Sequence, residues 1–87
     1  MKFKFTQHAI DQMKDRDIDV SLVEKVLNDP QQKVDQETGE MVYQSKLPRK
    51  GGKSLLLRVV VIQNTNPNLV ITVYWTSNFK KYWRLEE

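Results

Sequence analysis

Val20-Ser21-Leu22-Val23-Glu24-Lys25-Val26-Leu27-Asn28-Asp29-Pro30 is where the chain changes its period. Up to Asn28 the apolar residues Leu22, Val23, Val26 and Leu27 recur at helical spacing. Asp19 stands before the stretch as an N-cap, with Ile18 and Val23 in the positions of a hydrophobic staple. Pro30 ends the helix, because proline disfavours helical geometry in the residue before it. After Pro30 the alternation is two.

The segment upstream follows the same grammar. Lys2-Phe3-Lys4-Phe5 alternates as a short edge strand should, and Thr6 caps a helix running to Arg16. Phe5 and Ile10 form its staple, and Ala9, Ile10 and Met13 its apolar stripe. His8, Gln12, Asp15 and Arg16 share the other side, at i, i+4, i+7 and i+8. A helix that packs with one side and shows the chain's only histidine with the other fits half of a catalytic site. It fits a plain surface helix equally well.

Downstream, Gln32–Gln36 and Met41–Leu47 read as strands around Glu37-Thr38-Gly39-Glu40, a hairpin loop. Pro48–Lys53 is a basic loop, Ser54–Gln63 a central strand buried on both faces, Asn64–Asn68 a turn, and Leu69–Thr76 another central strand. The tail from Ser77 to Glu87 could add a short edge strand. The order β-α-α-β-β-β-β predicts an α+β fold, a single domain over 1–87 with two N-terminal helices packed on a small antiparallel sheet.

Composition narrows the chemistry. Eighty-seven residues build one modest core. With no cysteine and one histidine, disulfides, thiol catalysis and a zinc site are excluded, and no metal or cofactor is expected. No apolar run reaches the ~20 residues of a membrane span, and the start is too polar for a signal peptide. A cytoplasmic protein is expected. Charge is divided unevenly. Residues 1–40 hold six Lys/Arg against nine Asp/Glu, a balance of −3; residues 41–87 hold eight against two, a balance of +6. No acidic residue occurs between Met41 and Leu85. That half should present a positive face to a polyanion or an acidic protein.

Within it, Arg58 interrupts Leu55-Leu56-Leu57-Arg58-Val59-Val60-Val61-Ile62, where an unpaired charge is costly. Either it reaches the open face of the sheet, or it pairs with Asp11 or Asp15. Thr72, Tyr74 and Thr76 share one face of the next strand, so Arg58, Thr72 and Tyr74 can form one patch, with Lys80, Lys81 and Tyr82 near its end. Cations with interleaved aromatics suit RNA. There is no phosphate-binding glycine loop and no Ser/His/Asp triad.

His8-Ala9, Met13, Arg16 and Ile18 at these spacings resemble the HAxxRMxxRgI opening of the DUF4258 proteins. The end of the second helix, Gly39, Tyr43, Leu57–Val61, Val70–Tyr74 and Lys80–Trp83 agree with the resemblance. Gln12 and Asp17 depart from it, standing where the pattern often has Arg and Gly. DUF4258 is grouped with RelE/ParE-like toxins, so the resemblance implies a RelE-like fold and a metal-independent endoribonuclease restrained by an antitoxin. The substrate would be RNA, free or on the ribosome. In such a site a 2′-OH attacks the adjacent phosphate. His8 would be the base, Arg16 and Arg58 would hold the phosphate, Tyr74 would stack or donate, and Lys53, Lys80, Lys81 and Tyr82 would bind RNA. The alternative is a non-catalytic module binding RNA or protein through the basic sheet face.

Overall fold

The computed structural model describes residues 3–85. It is α+β. The elements are β1 (Phe3–Phe5), α1 (Gln7–Asp15), α2 (Val20–Asn28), β2 (Gln32–Asp35), β3 (Glu40–Pro48), β4 (Ser54–Ile62), β5 (Asn68–Thr76) and α3 (Phe79–Tyr82). Lys2, read above as part of the first strand, lies outside the described residues.

Both caps form. The Thr6 hydroxyl accepts from the Ala9 N–H, and Asp19 accepts from Ser21. At the end of α1, Ile18 N–H bonds Met13 O and Asp17 N–H bonds Lys14 O, with Ile18 and Met13 both in the core; this is a Schellman motif. Asp17 supplies its left-handed residue, at φ 51°. That position is the one where the DUF4258-like pattern has glycine. Asp17→Gly should therefore stabilise the fold by about 0.5–1 kcal/mol, read as a shift in the denaturation midpoint at constant slope. A loss of stability would mean the cap is not strained.

The sheet order is β1-β5-β4-β3-β2. Four strands form the antiparallel meander, but β1 lies parallel to β5, with Phe3 opposite Asn68 and Phe5 opposite Val70. The expectation of a purely antiparallel sheet is thus corrected to a mixed one. The reason is directional. Running alongside β5, β1 launches α1 in the same direction, and α1 then takes over the edge that β1 leaves open. Gln12 accepts from the Val73 N–H at 2.9 Å, and Arg16 donates to the Val73 carbonyl at 3.0 Å. Two side chains one turn apart stand in for the missing strand.

The core lies on one face of the sheet. Ala9 and Met13 of α1 and Val23, Val26 and Leu27 of α2 cluster with Leu57, Val59 and Val61 of β4 and Val70 and Val73 of β5. A bulge lets Val70 and Val73, three residues apart, face the same side: Val60 pairs with Thr72 and Val61 with Val70, so Ile71 is the extra residue.

The tail differs from its expected strand. Asn78 accepts from the Lys81 N–H and starts the short helix α3 instead. Among the described residues, no helix is long and apolar enough to cross a membrane.

Candidate functional site

The opposite face of the sheet carries a polar row. The register places Gln32 (β2), Gln44 (β3), Arg58 (β4) and Tyr74 (β5) directly opposite one another across four strands. In β3, β4 and β5 these positions belong to the alternation that puts Tyr43, Leu57, Val59 and Val73 into the core, so the row points away from the helices. Gln44 is fully buried and Arg58 only 6% exposed.

The side chains bond along the row. Gln44 donates to Gln32 Oε1 at 2.8 Å and accepts from Arg58 Nε at 2.9 Å. Arg58 Nη1 donates to the Tyr74 hydroxyl at 2.6 Å. Both hydrogen-bond partners of the buried guanidinium are therefore neutral. Asp11 and Asp15, offered above as its carboxylate partners, are not; Asp11 accepts from Gln7 on the exposed side of α1.

The tail covers this row. Gln32 pairs with both backbone groups of Arg84, donating to its carbonyl and accepting from its N–H. Gln44 donates to the Tyr82 carbonyl at 3.0 Å. The Tyr82 ring then lies over the guanidinium, 4.0 Å from Cζ, and edge-on to Tyr74 with the ring centres 6.3 Å apart. Lys46, also on this face, reaches the rings of Trp83 and Phe79 at 4.1 and 5.5 Å.

The two tyrosines are driven apart in acidity. Burial pushes the Tyr74 hydroxyl up, and the Arg58 cation opposes this without overcoming it. Tyr82 is lowered, first by hydrogen bonding with Lys81, whose charge, together with the Tyr74 hydroxyl and Arg58, acts in the same direction against desolvation. A pair of titratable groups separated by environment is a common mark of an acid–base site. The order is testable by absorbance at alkaline pH. Tyr82 should ionise below the ordinary phenol range and Tyr74 above it. Lys81→Met should move the first step up toward the ordinary value and leave the second in place. Because the folded Tyr74 holds its proton more tightly than the unfolded chain does, its stabilising contribution is present below pH ~10 and is lost as pH rises beyond that.

Of the expected site residues, Arg58, Tyr74, Tyr82 and Lys81 come together. Lys80 is exposed on α3, and Lys53 is exposed in the hairpin loop at the same end of the sheet. Arg16 is engaged with the β5 edge, and His8 is exposed about two turns earlier on α1; neither bonds to the row. Gln44, Gln32 and Lys46 were not among the expected residues. An apolar groove of Phe5, Ile10, Met13, Ile18 and Val20 shares no residue with the row.

A family model described as a domain of unknown function, DUF4258, matches residues 5–75. The chain belongs to the DUF4258 family. The matched segment includes α1, the meander and the row as far as Tyr74, and stops before the tail that brings Tyr82 and Lys81 to it. No curated protein and no solved structure matches this DUF4258 chain.

Proposed function

We propose that this DUF4258 protein is a toxin-like, metal-independent endoribonuclease of the cytoplasm, held in check by an antitoxin. The observation that carries the reading is Arg58: a buried cation with neutral partners, touching two tyrosines of opposite tendency. A cation held by glutamine and tyrosine retains its charge for an incoming phosphate. The RelE/ParE-like kinship belongs to this reading, as does an acidic surface on the antitoxin to match the basic half of the chain.

Cleavage needs a base, a charge stabiliser and an acid. Tyr82, the more acidic of the two phenols, acts as its phenolate and takes the proton from the 2′-OH as that oxygen attacks the adjacent phosphorus. Arg58, which the tail must first uncover, bonds the phosphorane oxygens. Tyr74, kept protonated by burial, gives its proton to the departing 5′ oxygen. The products are a 2′,3′-cyclic phosphate and a 5′-hydroxyl. Contact favours Tyr82 over His8 as base, since Tyr82 touches the guanidinium and His8 is not among its hydrogen-bond partners. Lys53, Lys80 and Lys81 hold the flanking RNA.

A second reading is a non-catalytic RNA- or protein-binding module. Its support is the cover over Arg58, which leaves the exposed lysines of the tail and hairpin as the accessible charge. Purified protein incubated with a defined RNA separates the two. New cyclic-phosphate ends that disappear in the Arg58→Ala variant support the nuclease; intact RNA with binding that falls steeply with salt supports the module.

A further inference from the structure

We propose that the free edge of β2 pairs with the β2 of a second copy, antiparallel about Val34, to make a two-fold dimer with one continuous ten-stranded sheet. This interface is independent of the nuclease reading.

Among the described residues β2 ends the sheet order, so no described strand lies beside its outer edge. The direction of its backbone groups follows from the ladder. Gln36 donates its N–H to Glu40 O, in the same register that sets Val34 opposite Val42 and Gln32 opposite Gln44. Even-numbered residues therefore bond β3, and the N–H and C=O of Lys33 and Asp35 point outward. An edge with four such groups is a template for another strand.

The side chains select the partner and the register. Lys33 and Asp35 are exposed and share one face of β2. When Val34 sits opposite Val34 of a second copy, each Lys33 faces an Asp35, and the four outward backbone groups of each strand meet their complements. Sliding by two residues either way sets Lys33 against Lys33 or Asp35 against Asp35, which is repulsive. The edge is thus self-complementary in one register and guarded in its neighbours, as an isologous interface requires. The polar rows of the two copies would then lie end to end on one face. The two Arg58 positions would be separated by five strand spacings, about 24 Å along the sheet.

The test is sedimentation velocity of the full chain over a wide concentration range, with folding checked by circular dichroism. The wild type should show a concentration-dependent monomer–dimer equilibrium. Lys33→Asp and Asp35→Lys should each weaken the dimer about tenfold, because each exchanges two attractive pairs for two repulsive ones. The double exchange should restore it. Lys33 gives up only its packing over the Tyr43 ring, 4.9 Å to the centroid, so that variant is informative even if Asp35→Lys, which loses the turn bond to the Glu37 N–H, fails to fold. A wild type that stays monomeric throughout overturns the proposal. So does a dimer indifferent to Lys33→Asp, a double exchange that folds but does not dimerise, or an assembly larger than a dimer.

Discussion

Gln44→Leu is expected to destabilise the fold by about 3–5 kcal/mol, because it takes a hydrogen-bond partner from a buried charge and from two further polar groups at once. Against the ~5–15 kcal/mol that holds a domain together, that is a large fraction. Gln44 is fully buried and binds three groups at once: Arg58 Nε, Gln32 Oε1 and the Tyr82 carbonyl. Leucine has nearly the same volume, so the loss would come from orphaned polar atoms and not from a cavity. The tail should loosen as well, since Gln44 fixes Tyr82 and orients the Gln32 amide that holds Arg84. A second substitution separates causes. Adding Arg58→Met to Gln44→Leu removes the stranded cation, and at least half the lost stability should return. Denaturant unfolding of the two single variants and the double one gives the coupling. Strict additivity would mean that Gln44 and Arg58 do not act as a unit.

Much of this fold was written locally. Thr6, Asp19 and Pro30 mark helix ends with side chains that act within a few residues, and α1 and α2 fall where the caps and apolar spacing put them. The strands of the meander were legible by their alternation, within about two residues at each end. What was not legible depends on partners distant in sequence. The parallel pairing of β1 with β5 brings together residues about sixty-five positions apart, and no local signal specifies it. The bulge at Ile71 leaves an unbroken Val/Ile-rich run. Gln12 read as a missing cation on a polar helix face; its amide serves the Val73 N–H, a role that a spacing argument does not reveal.

The candidate site divides the same way. Arg58 stood out because charge in an apolar strand demands a partner, and Tyr74 followed by alternation. The partner itself, Gln44, could be found only from the register that pairs β3 with β4. A glutamine within a strand is a weak signal, but Gln32 and Gln44 are both buried on the face away from the helices. His8 was prominent as the only histidine, yet it is exposed on α1 and makes no hydrogen bond to the row. The tail was recognised by its Lys80–Tyr82 composition, while its path across the sheet depends on backbone bonds to Gln32 and Gln44.

The second large effect concerns activity. On the nuclease reading, losing the guanidinium donors that bond the phosphorane should lower the cleavage rate about 10²–10³-fold, the usual scale for one such donor. Arg58→Lys is the sharper variant, because it keeps a cation and loses the planar fork that bonds Gln44 and Tyr74 at once. Tyr82→Phe keeps the ring over residue 58 and removes only the oxygen that would act as base. The wild-type rate should rise with pH as Tyr82 gives up its proton and fall again as Tyr74 loses its own, with the rising limb displaced upward in Lys81→Met.

The most direct measurement is single-turnover cleavage of one end-labelled RNA by wild type, Arg58→Lys, Tyr82→Phe and His8→Ala, each shown to be folded, with the product ends identified. The account predicts cyclic-phosphate ends from the wild type and from His8→Ala, and rates lower by about two orders of magnitude in Arg58→Lys and Tyr82→Phe. Equal cleavage by all four, or a loss confined to His8→Ala, would contradict it.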